Sequence, residues 1–422
     1  MVKVYIETVG CAHNFADSEH MAGLLAQAGY ELVENENKAD LIIFNTCTVK
    51  TPTEHAFFNR LEEVKKKKKK IVIAGCIPQT EPGRLLDYSL IGTHQIDKIT
   101  EVVAATLKDK RKAAIFKNRQ TPLILPKIRK NPIVEIIPIN TGCLGKCTYC
   151  KTKAARGHLV SYPPEQILQK ARESLNDGIK EIWLTSQDTA CYGQDIGVDL
   201  IHLVNEISKI EKDFKIRIGM GNPDHFLGME EKLIKAMQNE KVYKFLHIPV
   251  QSGSDSILTR MERNYTIKQY KKIVTKLKNE LPKITIATDV ICGFPGETER
   301  QFDETIKLIK QTRPDIVNVS RFWKRERTLA AEMPKQLPDK TIMRRSEKLS
   351  KIARQISLEN KKEWIGWQGE VIINEKGKNK QQWKARTPSY TQITIKGKFK
   401  LGQKVKVKIK SSTIHDLIAE KI

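Results

Sequence analysis

The chain has 422 residues, 40% of them hydrophobic, and 74 Lys and Arg against 49 Asp and Glu give a formal net charge of +25. Its apolar runs are short, and the longest candidate, DLIIFNTC, falls far short of the roughly 20 residues that a membrane span needs. The length suggests two or three domains, and eight cysteines spread over it do not form a secreted disulfide scaffold. The cation excess favours a polyanion such as RNA or DNA as partner, with a lysine-rich proteome as the plain alternative. The N-terminus MVKVYIETVGC reads as a strand and not as a cleavable leader, so a cytoplasmic setting is expected.

Residues 1–108 alternate short apolar runs with helical patterns: KVYIET, DSEHMAGLLAQAGY, DLIIFNTC, TEHAFFNRLEEV, IVIAGC and IDKITEVVAATL. That rhythm predicts an α/β domain with a parallel sheet. The lysine run 65–70 is expected to be a solvated helix C-terminus, where cations suit the helix dipole. Residues 109–132 carry many cations and three prolines without a sustained period, which predicts a linker. From 133 to 360 six strand-and-helix units follow, with strands at IVEIIPIN, EIWLTSQ, KIRIGMG, FLHIPVQS, TIATDVICGF and DIVNVSRFW. Six units predict a partial barrel, short of the usual eight. Residues 361–422 alternate in GEVIINEKG, QWKARTPSYTQITIKG and QKVKVKIKS, the pattern of a small all-β, OB-like domain.

Two sets of cysteines carry the chemistry. CLGKCTYC places Cys143, Cys147 and Cys150 within eight residues. Structural zinc sites usually add a second Cys pair or His, and His158 is the one nearby candidate for a fourth ligand. A [4Fe-4S] cluster fits better, because thiolates hold such clusters and three of them leave one iron open. Cys11, Cys47 and Cys76 are far apart in sequence, but each follows a predicted strand, and parallel strands bring those ends to one edge, where ligands bind in such folds. The two sets are therefore expected to face a shared cavity. Cys191 and Cys292 are expected to be small buried hydrophobes.

The spacing of Cys143, Cys147 and Cys150 resembles the signature of radical S-adenosylmethionine enzymes, and the whole chain resembles a methylthiotransferase. NTGCLGKCTYCKTKAARG, NTCTVKTPTEHAF, LTSQDTACYGQDIG, FLHIPVQSGSDSIL and ATDVICGFPGET point to the branch acting on threonylcarbamoyl-adenosine in tRNA, as in archaea and eukaryotes. The resemblance implies an N-terminal domain whose Cys11, Cys47 and Cys76 hold an auxiliary [4Fe-4S] cluster. It also implies a radical S-adenosylmethionine barrel whose Cys143, Cys147 and Cys150 hold the cluster that binds S-adenosylmethionine, and a C-terminal RNA-binding TRAM domain. The implied partners are the anticodon stem-loop of a tRNA, an electron donor and a sulfur source; the oligomeric state is open, with a monomer expected. Cofactor contacts are expected from Tyr149, from Ser186 and Asp188, from Gln251 and Ser252, and from Gly293 and Gly296, whose backbone can approach a ligand closely. Substrate contacts are expected from Arg156, which matches an Arg-Gly pair of the family. In the last domain Trp383 and Tyr390 offer stacking faces, and Lys404, Lys406 and Lys408, alternating along one strand face, offer phosphate contacts. One departure is KRERTLAA, residues 324–331, where the family has a Pro-Gly-Thr-Pro turn; no role is carried over for that loop.

Overall fold

In the computed structural model, residues 1–49, 51–116 and 121–422 are described. The first domain is a parallel six-stranded sheet ordered Glu31–Leu32, Lys3–Thr8, Leu41–Thr46, Lys70–Gly75, Ser89–Ile91 and Ala113–Ala114. Its central strand, LIIFNT, is buried along its whole length, as an apolar run covered on both faces must be. Leu41 and Ile43 pack with Met21 and Leu25 of helix Ala12–Gln27 and Val102 of helix Ile99–Leu107. Ile42 and Phe44 pack on the other face against Phe57, Leu61 and Val64 of helix Thr51–Lys65.

In the second domain Val134–Pro138, Glu181–Thr185 and Lys215–Ile218 form one parallel sheet, and Phe245–His247, Thr285–Cys292 and Ile316–Arg321 form another. Isolated bridges Ile216–Val242 and Met220–His247 join them, so the six predicted strands curve into a partial barrel. Outer helices cover it: Leu200, Leu203, Val204 and Ile207 of helix Leu200–Ser208 are buried against the strands at the spacing the sequence shows, and Asp199 caps that helix through the His202 amide at 2.7 Å.

The last domain is a closed five-stranded barrel, ordered Gln368–Lys376, Gln382–Arg386, Gln392–Lys396, Leu417–Lys421 and Lys404–Ser412. Val405, Val407 and Ile409 fill its core while Lys404, Lys406 and Lys410 are exposed, the period of two made visible. It docks on the N-terminal ends of the larger barrel's strands: Asn374 and Tyr243 both donate to Glu181 Oε1, at 3.0 and 2.9 Å.

Several expectations need correction. Part of the predicted linker is structure: Ala113–Ala114 extends the first sheet, and Lys127 is buried between Glu19 and Glu135, at 3.0 and 2.6 Å. Two carboxylates from different domains demand a cation, which pulls this stretch onto the protein as a strap; residues 117–120 lie outside the described residues. In the lysine run the helix ends at Lys65, Lys70 opens a strand, and Lys69 Nζ donates to the carbonyls of Glu36 and Ala39, each at 2.6 Å. Lys69 and Lys70 are thus tied into the fold, while Lys65 to Lys68 stay exposed at and just beyond the helix end as expected.

Candidate iron-sulfur centre

The loop from Cys143 to Cys150 follows the first barrel strand. Gly142, at φ 72°, enters it by donating its amide to Gln187 Oε1 at 2.8 Å, and a side chain there would strike the carbonyl of His158. The loop then folds around its own sulfurs. Gly145 N donates to Cys143 Sγ at 3.2 Å, Cys150 N to the carbonyl of Cys147 at 3.0 Å, and Lys153 Nζ ties down the Gly145 carbonyl at 2.7 Å. A Cβ placed on Gly145 would stand 3.4 Å from Cys143 Sγ and 3.6 Å from Cys147 Sγ, so these two thiols converge on one side of the glycine.

Polar side chains from later strands back this loop. Asp188 is fully buried and accepts from Asn222 Nδ2 at 2.6 Å, the Asn222 amide at 3.0 Å and the Ala190 amide at 3.1 Å, with His225 Nδ1 at 2.8 Å. Burial pushes the Asp188 carboxyl up, but the contacts with His225 and Asn222 outweigh it and hold it below the ordinary carboxylate value. Arg263 Nη1 lies 3.4 Å from Cys147 Sγ and 2.7 Å from Asn222 Oδ1. The Cys143 thiol is held below its usual value, chiefly by a hydrogen bond with Cys191 and further by the Gly145 amide, against burial. Burial and the neighbouring Cys147 push the Cys150 thiol up.

The second set assembles as predicted from strand ends. Strands Lys3–Thr8, Leu41–Thr46 and Lys70–Gly75 are adjacent and parallel, and the pairing of Thr46 with Gly75 puts Cys47 beside Cys76. Cys11 heads helix Ala12–Gln27, and a Cβ on the intervening Gly10 would lie 2.9 Å from that of Cys47. Asn14 locks the corner: its Oδ1 accepts from Cys11 Sγ at 3.3 Å and its Nδ2 donates to the Thr46 carbonyl at 2.8 Å. Burial, then Cys76 and Cys11, push the Cys47 thiol up to about 12. Cys76 is raised by burial, which the Arg156 charge opposes. Buried thiols crowded in this way lose their protons when a metal takes them, and two soft thiol triplets suit iron-sulfur clusters.

Both sets share one seam. Arg156, in the helix that follows Cys150, crosses it to pair with Asp17 at 2.6 Å. Arg325, in the divergent loop, crosses it to Glu54 Oε2 and Thr48 Oγ1, both at 2.8 Å, and Glu54 and the sulfurs of Cys47 and Cys150 all act on its charge. Lys151 pairs with Glu81, Thr93 Oγ1 donates to the Ala155 carbonyl at 2.5 Å, and Arg327 donates to the Thr80 carbonyl at 3.0 Å. Arg156 and Arg325 each keep one buried guanidinium nitrogen, Nη1, without a hydrogen-bond partner. Donors left over beside two groups of thiols fit bound anionic clusters.

Comparison with known proteins agrees with this geometry. Residues 137–309 match the radical SAM superfamily, and residues 3–92 match an uncharacterized protein family, UPF0004. The human threonylcarbamoyladenosine tRNA methylthiotransferase is 42% identical over 98% of this chain and 73% of its own length. The chain belongs to the threonylcarbamoyladenosine tRNA methylthiotransferase family. An archaeal member, from Pyrococcus horikoshii and named as probable, is 42% identical over 95% of this chain and 96% of its own. Among solved structures, a radical S-adenosylmethionine methyltransferase from Kitasatospora setae with cobalamin and a [4Fe-4S] cluster bound superposes with a TM-score of 0.57. It is 13% identical and covers 78% of this chain and 77% of that one, which shows the shared fold.

In this methylthiotransferase the other expected contacts fare unevenly. Tyr149 is half-buried against Ile257, Met261 and Phe294 beside Cys147, and burial pushes its phenol well up. Ser186 Oγ accepts from the Asp188 amide at 3.0 Å, and Asp188 spends its carboxylate on Asn222, His225 and Ala190, so both brace the loop from behind. Gln251 sits at φ 67° in a bridge to Val290, while Ser252 is fully buried with its hydroxyl turned to the Ser254 amide at 3.3 Å. Gly293 and Gly296 both sit at positive φ, and a Cβ would in addition strike Ile342 at the first and meet the guanidinium tip of Arg260 at the second. Ser252, Gly293 and Gly296 each have a packing or hydrogen-bonding role in the protein itself, beside the cofactor contact expected of them.

Arg156 is 1% exposed and lies at the seam, not on an outer surface. Trp383 is half-buried with its indole N–H bonded to the Gly397 carbonyl at 3.1 Å and Phe399 at right angles to its ring, while Tyr390 is buried between Tyr243 and Phe245 and offers no free stacking face. Lys404 is paired with Asp213 and Glu370, at 2.9 and 3.2 Å; Lys406 is exposed and Lys408 half-exposed on the same strand. His158 is exposed, and its carbonyl packs under Gly142. Cys191 and Cys292 are buried as expected, yet the Cys191 thiol also donates to the Asp188 carbonyl at 3.2 Å beside Cys143. Sequence reading missed Asn222, His225, Arg263 and Arg325. Asn222 and His225 follow the third barrel strand, so the strand-end rule could have found them; nothing local marks Arg263.

Proposed function

We propose that this enzyme methylthiolates C2 of N6-threonylcarbamoyladenosine at tRNA position 37, beside the anticodon, in the cytoplasm. The observation that carries the reading is the pair of cysteine triplets held against one seam, Cys143, Cys147 and Cys150 from the barrel and Cys11, Cys47 and Cys76 from the first sheet. The first triplet would hold the cluster that binds S-adenosylmethionine, and the second an auxiliary cluster. When bound, these groups supply the radical that opens the C2–H bond and the sulfur and methyl group that replace the hydrogen. The chain's own residues do the positioning. Asp188, with Asn222 and His225, fixes the loop of the first triplet, and Arg263 offsets the thiolate charge at Cys147. Arg156 and Arg325 hold the two domains in register.

A polar inner wall supports the substrate. Ile286, Val290 and Cys292 of strand Thr285–Cys292 pack under the outer helices, so Asp289 faces the inside of the barrel. There it meets His247 Nε2 at 3.0 Å and Asn318 Nδ2 at 2.7 Å. Such a wall suits the urea and hydroxyl of a threonylcarbamoyl group, whereas an isopentenyl group offers it no hydrogen bond. The exposed Lys406 and half-exposed Lys408 face outward for phosphates, and an electron donor and a sulfur source are required as partners. The test is nucleoside mass spectrometry of tRNA from cells with and without the gene. Deletion is expected to remove the 2-methylthio form and leave threonylcarbamoyladenosine; an unchanged profile overturns the tRNA assignment.

A further inference from the structure

Arg156 belongs by sequence to the first triplet and by contact to the second. Its Nη2 binds Asp17 at 2.6 Å and lies 3.5 Å from Asn14 Oδ1, the same oxygen that accepts the Cys11 thiol at 3.3 Å. Its Nη1 is buried with no partner, although the side chain is only 1% exposed. Burying a charged donor and leaving it unpaired is costly, and native proteins rarely keep one without an ion or ligand to receive it. Asp17, itself buried, balances the charge but uses only Nη2. A cluster on three thiolates is a net anion, and becomes more so when it gains an electron or an anionic sulfur ligand. A cation donating to its sulfurs stabilises both changes.

We propose that Arg156 is a positioning residue for the cluster on Cys11, Cys47 and Cys76. Its Nη1 donates to a sulfide or thiolate of that cluster, raising the reduction potential and favouring an anionic sulfur ligand, hydrosulfide or methanethiolate, on the iron that the three cysteines leave open. This rests on the reading that the second triplet holds a cluster. A purely structural role, joining two domains, would require neither the free nitrogen nor an effect on the potential.

The test uses the full chain with Cys143, Cys147 and Cys150 changed to Ala, reconstituted anaerobically so that one cluster remains. Redox titration is followed by electron paramagnetic resonance. Arg156→Gln is expected to lower the reduction constant about tenfold, which is about 59 mV for one electron. Arg156→Lys should lower it less, and Asp17→Asn, which frees the arginine's charge, should move it the opposite way. Hydrosulfide added to the same samples should bind about tenfold more weakly to the Gln variant. If Arg156→Gln loses its cluster, the Lys and Asp17→Asn shifts decide. Unchanged potentials, or shifts of the same sign in the Arg156 and Asp17 variants, overturn the proposal. Absence of iron in the parent with Arg156 intact overturns the second-cluster reading itself, and this proposal with it.

Discussion

The two cysteine triplets solve the same problem by opposite routes. Cys143, Cys147 and Cys150 come from one loop that closes on itself, backed by Asp188, Asn222, His225 and Arg263. Cys11, Cys47 and Cys76 come from three strand ends, and the sheet register does the gathering. The loop triplet must import its rigidity from distant polar side chains, whereas the sheet triplet inherits it from backbone hydrogen bonds. Their electrostatics differ as well. In the loop set Cys143 is drawn toward the thiolate and Cys150 away from it, while both Cys47 and Cys76 in the sheet set are pushed up by burial. Loading the sheet set therefore releases protons that burial holds tightly.

The sharpest way to break this division is to remove one thiol from each set. Cys147→Ala should abolish reductive cleavage of S-adenosylmethionine, read as 5′-deoxyadenosine released. Cys76→Ala should keep that cleavage and abolish methylthiolation; loss of cleavage in Cys76→Ala would show that the sets do not divide the labour. A smaller effect is expected at the seam. Arg325→Ala leaves Glu54 buried with half its partners, and breaking such a pair costs about 3–5 kcal/mol. Because Arg84 still reaches Glu54 at 3.0 Å, the loss should fall near the lower end. Calorimetry should then show the first domain melting apart from the barrel, and a single unchanged transition would deny Arg325 its bridging role.

The smallest effect concerns the support behind the loop set. Burial pulls His225 down, but its hydrogen bond and charge pairing with Asp188 leave it above its ordinary 6.5, while Asp188 is held below 3.8. The His225 contribution to stability is fully present below pH 6.5 and is lost as pH rises through the raised value. The Asp188 contribution is present above 3.8 and lost only in stronger acid. The melting temperature of the cluster-free protein should therefore drop as the pH rises from 6.5 through the raised His225 value, and His225→Gln should remove that drop. An equal drop in the variant would assign it to other groups.

The six cysteines were legible because each sits at a local marker, a spacing or a strand end. The strand and helix patterns were legible for the same reason, since periodicity is a property of neighbours. Ser89–Ile91 and Leu417–Lys421 were missed because they are short or carry no clear turn signal, and Ala113–Ala114 because its cations suggested a linker. At Gly293 and Gly296 the structure adds a packing reason for glycine that the sequence did not reveal, a helix residue lying against the first and the Arg260 guanidinium against the second. Arg325 lies far along the chain from the Glu54 it meets, and no pattern of neighbours encodes that meeting.

The short helix Thr152–Arg156 connects the two routes. One end hangs from Cys150 and the other delivers Arg156 to Asp17, so the stretch between them works as a ruler. Adding or removing one residue would swing the arginine by about 100° and shift it by about 1.5 Å, pointing it away from the first domain. Exchanging side chains along the ruler keeps the reach; changing its length does not. Evolution of this enzyme is thus freer to alter what the segment is made of than how long it is.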